Sequence, residues 1–202
     1  MKKTKQYSPL KSTLILVGIL ALIVVAIFVA KQFYKPRSPY PTLTYNNFKF
    51  EQIEGMWYTQ WQRDGQVYNI GLRYNPQEVE TVPVRGGLND TFKQQPFYVT
   101  FDPDEESENF KYLALGVAEL GLNIVRGMGM QFVSACTKNI SDACIAHPIV
   151  TCDDDDKAVI YLRTMNESRV RLDGNCLTLE GKELDLLKAV DRVLYHFYKI
   201  MP

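Results

Sequence analysis

The segment Ser12–Ala30, STLILVGILALIVVAIFVA, carries no charged side chain. As a helix rising 1.5 Å per residue it spans roughly 28 Å, about the hydrocarbon core of a bilayer. Lys2, Lys3, Lys5 and Lys11 precede it, and Lys31, Lys35 and Arg37 come after it. The core helix of a soluble domain rarely starts at residue 12 between two basic clusters, so the segment reads as a transmembrane helix. A secretory leader has a shorter apolar run and small residues at its cut. Here the run is long and ends Phe28-Val29-Ala30-Lys31, which points to an uncleaved signal-anchor. The basic flank is richer on the N-terminal side by one side chain and the terminal amine. The positive-inside bias then places the N-terminus in the cytoplasm and the C-terminal part outside. The expectation is a single-pass protein of the cell membrane.

The chain beyond the anchor is acidic. No Asp or Glu precedes Glu51, whereas seven of the 23 Lys and Arg lie at or before Arg37. Beyond Arg37, 16 basic residues face 23 acidic ones, a net charge of −7. Such a surface argues against nucleic acid as a partner, because phosphate contacts need cations. It also disfavours close approach to anionic lipid.

Composition divides the chain into segments. Residues 1–11 form a basic tail and 12–30 the membrane helix. Residues 31–47, interrupted by Pro36, Pro39 and Pro41, read as an extended juxtamembrane tether. Residues 48–202 then fit one exterior domain, large enough for a proper core.

Within that domain, MWYTQWQRDGQVYNIGLRY predicts a β-hairpin turning at Asp64-Gly65. Folding there sets Trp61 opposite Tyr68, Thr59 opposite Ile70 and Trp57 opposite Leu72, with the apolar residues on one face. Asp173-Gly174 predicts a second hairpin with Val170 opposite Leu177. PFYVTFDP (Pro96–Pro103), MQFVSA (Met130–Ala135) and AVIYLR (Ala158–Arg163) read as further strands. ENFKYLALGVAELGLNIV reads as a helix, and so does KELDLLKAVDRVLYHFYKI at the C-terminus. In the latter, Leu184, Leu187, Val190, Leu194 and Phe197 fall on one stripe. Asp185, Lys188, Asp191, Arg192 and Lys199 fall on the other side. The predicted class is α+β: a membrane helix, then one mixed sheet with hairpins and two amphipathic helices packed on it.

The tail GNCLTLEG with DLLKAVDRVLYHFYKIM after it resembles the ending of single-span envelope proteins of archaea. The W-x-x-x-W hairpin and the strand ending FDP occupy similar places in those proteins. No activity is assigned to that group, so the resemblance implies a topology and no reaction.

Cys136, Cys144, Cys152 and Cys176 all lie in the C-terminal third. An even number beyond a signal-anchor reads as two disulfides in an oxidising space, with three connectivities open. The competing reading is a metal site that includes His147, but the closely spaced ligand pairs of structural zinc are missing, and so is a Cys-x-x-Cys redox pair. Asn89, Asn139 and Asn166 begin Asn-x-Ser/Thr sequons, glycan acceptors only outside the cytosol.

Two acidic clusters, Asp153–Asp156 before Lys157 and Asp102, Asp104, Glu105, Glu106 and Glu108, have the oxygen density of calcium ligands. Neither has an EF-hand pattern, and solvated turns explain both. DDDDK also matches a protease site if exposed. His196 sits beside the apolar stripe as a helix-rim residue, and with His147 it completes the histidines, leaving few ways to build a catalytic triad. RGGLND and RGMGMQ lack the order of a phosphate loop and read as turns. Trp57, Trp61, Tyr68 and Tyr74 suit either a carbohydrate or partner-binding platform or the packed face of a sheet.

No cofactor or reaction is called for by these residues. The expectation is a non-enzymatic, membrane-anchored extracytoplasmic module that binds a protein or glycan partner or contributes to an envelope assembly. One alternative is a surface-anchored hydrolase using two carboxylates about 5–10 Å apart, one with a raised pKa. Another is a calcium- or metal-dependent adhesion module.

Overall fold

The computed structural model describes residues 9–33, 38–105 and 107–202. Lys2, Lys3 and Lys5 of the tail, Lys35, Pro36 and Arg37 of the tether, and Glu106 lie outside them. Helix α1 (Pro9–Phe33) contains the expected span. Thr13–Lys31 has a mean hydropathy of 3.2 and none of it is buried, so the helix is long and apolar enough to cross a membrane. Met1–Pro39 and Tyr40–Pro202 are two separate compact units.

In the second unit, β1 (Thr42–Tyr45), β2 (Phe48–Ile53), β3 (Met56–Arg63) and β4 (Gln66–Leu72) form an antiparallel meander in chain order. Asn46-Asn47, Glu54-Gly55 and Asp64-Gly65 join them, and all six residues have positive φ. That is the type I′ turn, whose twist matches the flanking strands. The β3–β4 register is the predicted one: Trp61 faces Tyr68, Thr59 faces Ile70 and Trp57 faces Leu72. The tether is shorter than 31–47, because Lys31–Phe33 are helical and β1 pairs with β2. Leu43 and Tyr45 pack on the core, and their burial draws this stretch into the sheet.

Six more strands form a mixed sheet in the order β5-β9-β10-β8-β6-β7. They are β5 (Val84–Leu88), β6 (Phe97–Phe101), β7 (Phe132–Cys136), β8 (Ala158–Thr164), β9 (Arg169–Gly174) and β10 (Cys176–Gly181). Neighbours run parallel except in the β9–β10 hairpin. The α+β class holds, but where the sequence predicts one sheet the chain builds two. Strand β5 lies in the RGGL stretch that reads as a turn. A Cβ on Gly86 would overlap the Leu172 carbonyl, so glycine lets β5 close on β9.

The β9–β10 register also differs from the prediction. Leu172 pairs with Leu177, and Val170 with Leu179. The turn is Gly174-Asn175, one residue later than Asp173-Gly174. Asn175 fixes it there by donating its side-chain amide to the carbonyls of Asp154 and Lys157, at 2.9 and 3.2 Å. Moving the partner by two residues keeps every side chain on its face.

Helix α3 (Ser107–Leu122) crosses from β6 to the parallel strand β7 and runs into a π-turn over Asn123–Gly127. A single turn, α2 (Pro76–Val79), carries an Asn75–Glu78 capping box. Helix α4 (Leu184–Phe197) closes the fold. The two long helices lie between the sheets. One side covers the leucines of β8 and β10. On the other, Tyr195 meets Phe50 edge-on at 5.9 Å and Tyr198 meets Trp61 at 5.1 Å. This second cover corrects the predicted stripe. Leu187, Val190 and Leu194 are buried as expected, yet so are Leu186, Ala189 and Val193, while Leu184 is exposed. Asp191, predicted on the solvent side, is 0% exposed because the chain leaving β4 at Tyr74 closes over it.

Candidate functional site

The cysteines form Cys136–Cys144 and Cys152–Cys176. Cys136 ends β7 and Cys176 opens β10, so both bridges pin the long β7–β8 loop to strand ends. That loop crosses the face of the large sheet opposite the helices. The Thr100 hydroxyl donates to the Val150 carbonyl at 2.8 Å, and Val150 packs with Ala135, Val159 and Cys176. With all four sulfurs paired, thiolate ligation or nucleophilic attack by cysteine has no free thiol to use. His147 and His196 are exposed.

The sequon residues Asn89, Asn139 and Asn166 are exposed as well. Asn89 is also a cap, its Oδ1 accepting from the Thr91 amide at 3.0 Å. The acidic clusters are bridged by lysines. Lys138 contacts Asp102 and Asp104 at 3.0 and 3.2 Å, and Lys157 contacts Asp154 and Asp156 at 2.8 and 3.3 Å. The Lys157 ammonium and the Thr151 amide hold the Asp154 carboxyl below its ordinary pKa. Among the described residues no three His, Cys, Asp or Glu converge as a metal site.

The hairpin aromatics are spent on packing. Trp61 Nε1 donates to the Tyr198 carbonyl at 3.0 Å. Tyr68 stacks under the Arg63 guanidinium, which itself reaches the Gly127 carbonyl. Trp57 and Tyr74 pack against the core. A broad concavity of about 1130 Å³ wraps the meander, lined by the outward Lys49, Glu51, Tyr58, Gln60 and Asn69, and Trp61 and Tyr198 also reach its wall.

Two acids between the sheets have raised pKa values, Asp191 strongly so, with burial the first cause in each. Glu119 on α3 is bound by Arg73, Nη2 to Oε1 at 2.6 Å. Asp191 accepts from the Tyr74 amide at 2.7 Å, and Glu119 adds to the rise in its pKa. Asp191 Oδ1 and Glu119 Oε2 have no hydrogen-bond partner. These carboxyls have the shifted pKa a hydrolase needs, but they are shut inside the core, out of reach of a glycan or peptide.

The half of the large sheet not crossed by the loop carries a different arrangement. Pairing sets Arg85 opposite Arg171, and puts Glu180 in one row between Arg169 and Arg163. These are four of the eight arginines beyond Arg37. The Glu180 side chain is 0% exposed, and its Oε2 accepts from Arg169 Nε. Nη1 of Arg163 and Nη1 of Arg171 each stand 3.9 Å from its Oε1, beyond hydrogen-bond distance. These three arginines are 47, 36 and 56% exposed for 163, 169 and 171. Arg85 is exposed, and no carboxylate pairs with it among the described residues. Glu167 and Asp173 border the groove of about 390 Å³ that Arg85, Arg169 and Arg171 line.

The alternation Arg169-Val170-Arg171 was a signal for this face, since residues two apart in a strand share a side. Arg85 gave none, because its strand is hidden behind two glycines. No family model, characterised protein or solved structure matches the chain.

Proposed function

We propose that this chain is a membrane-anchored extracytoplasmic module of the cell envelope, holding its N-terminus in the cytoplasm and its α+β domain outside. It acts by binding or by contributing to a surface assembly, and no reaction is assigned to it. One observation carries the reading: an apolar helix with no buried residue precedes a domain whose four cysteines are all in disulfides. Paired cysteines persist in oxidising spaces and are reduced in the cytosol. Exposure of all three sequon asparagines is consistent with glycan acceptors on the same side. The resemblance of the tail to archaeal envelope proteins agrees with this placement.

Intact cells labelled with a membrane-impermeant maleimide test it. Reaction is expected only after a reductant is added, foremost at Cys152, the least buried of the four, and without permeabilisation. Labelling that needs permeabilisation but no reductant would put the domain in the cytosol and overturn the proposal.

A further inference from the structure

We propose that the open arginine face of the large sheet binds an acidic polysaccharide, whose carboxylates are taken by Arg85, Arg163, Arg169 and Arg171. The choice of ligand rests on the extracytoplasmic reading above. The site itself rests on charge and geometry. Arg85 lies directly opposite Arg171, a cross-strand pairing of like charges that is unfavourable unless something compensates it. Glu180 compensates the row below: it bonds Arg169 and attracts Arg163 and Arg171 without satisfying their donors. It is a positioning residue, buried beneath guanidiniums that keep N–H groups free for an outer oxyanion.

Spacing decides the kind of anion. Arg85 on β5 and Arg163 on β8 are three strand intervals apart, about 14 Å at the usual sheet spacing. One small anion reaches one or two of these side chains, whereas a chain of acidic sugars reaches them all. A single lipid headgroup is such a small anion, and a flat anionic membrane would face the whole domain with its net charge of −7, whereas a strand laid along this patch meets the arginines within a Debye length. A nucleic-acid strand offers the same charge spacing but binds best where aromatic rings stand free for stacking. On this face Tyr98 and Tyr161 are packed into the cluster under the β7–β8 loop.

The full-length chain in neutral-detergent micelles, titrated calorimetrically at low salt, tests the proposal. The probes are an oligogalacturonate of about ten residues, a neutral dextran of equal length, and an oligothymidylate of equal charge. Oligogalacturonate is expected to bind, dextran to give no heat, and oligothymidylate to bind more weakly. R85Q/R171Q is expected to bind oligogalacturonate about tenfold more weakly. Its melting temperature without ligand should change little, since relief of the opposed charges offsets the lost attraction of Arg171 to Glu180. If that variant fails to fold, R163Q on the other side of β10 should weaken binding several-fold in its place. No binding by the parent chain, or equal affinity in the folded variants, overturns the site. Equal or tighter binding of oligothymidylate overturns the choice of polysaccharide. The titration uses purified protein, so its failure is distinct from failure of the maleimide experiment, which concerns the side of the membrane alone.

Discussion

Asp191 and Glu180 are both 0% exposed, one between the two sheets and the other on the opposite face of the large sheet. Glu180 lies beneath three guanidiniums and is bonded by one of them. Asp191 has the Tyr74 amide, while the nearby Arg73 is committed to Glu119. A buried carboxylate must be paired or neutralised. Beside the helices burial wins and pushes Asp191 towards its protonated form. The contrast separates two uses of a sheet. The helix-covered face is closed by apolar packing, and burial there raises the pKa of its acid. The open face sets its acid beneath guanidiniums that reach the surface.

The largest effect expected from this contrast is on β10, where adjacent residues point to opposite faces. Leu179→Ala, under the helices, should cost about 4 kcal/mol in denaturant unfolding. Thr178→Ala, on the other face, should cost about 1 kcal/mol or less. Equal losses would mean that the loop-covered face is as tightly packed as the core.

On the half of the opposite face that the loop crosses, the covalent bridge takes the place of a helical layer. C152S/C176S opens a link between residues 24 apart and should lower stability by about 3 kcal/mol in the chain-entropy model. Thermal melting in the presence and absence of a reductant checks this. An unchanged melting temperature would show that the Thr100–Val150 bond and its apolar cluster hold the loop unaided.

Asp191 gives the smallest effect and the clearest sign. Its folded pKa lies above the unfolded value, near 3.8. Stability from the protonated acid is therefore complete below about pH 4 and is lost as pH rises through the folded value. Asp191→Asn keeps an acceptor for the Tyr74 amide and carries no charge. It should be more stable than the parent at pH 7 by about 1 kcal/mol, with a shallower decline above pH 4. Some slope should persist, because Glu119 is raised as well. A variant less stable than the parent at pH 7 would show that Asp191 is held as a charge after all.

Local chemistry made part of this legible in the sequence. Asp64-Gly65 and the facing aromatics set the β3–β4 register, and the 3.6-residue period marked both long helices. The features that escaped depended on partners distant in the chain. The place of Asp191 on the helix surface comes from periodicity, but its burial comes from Tyr74, 117 residues away. The β9–β10 turn moved by one residue because Asn175 found carbonyls in the preceding loop. Strand β5 was invisible because glycines signal turns locally and permit close strand approach only in context. For the same reason Arg85 could not be assigned to the arginine face, although Arg169 and Arg171 share a side by simple alternation.

The Cys152–Cys176 bridge also spans the run Asp153–Lys157. A protease that reads four aspartates and a lysine would cut after Lys157, just ahead of β8. The two pieces, 1–157 and 158–202, would still be joined by that sulfur bond. Strand β8 would still lie between β10 and β6, held by its backbone ladder on both sides. Shedding the C-terminal piece from the anchor thus requires a cut, a reductant and the parting of those ladders, and no one of them releases it alone.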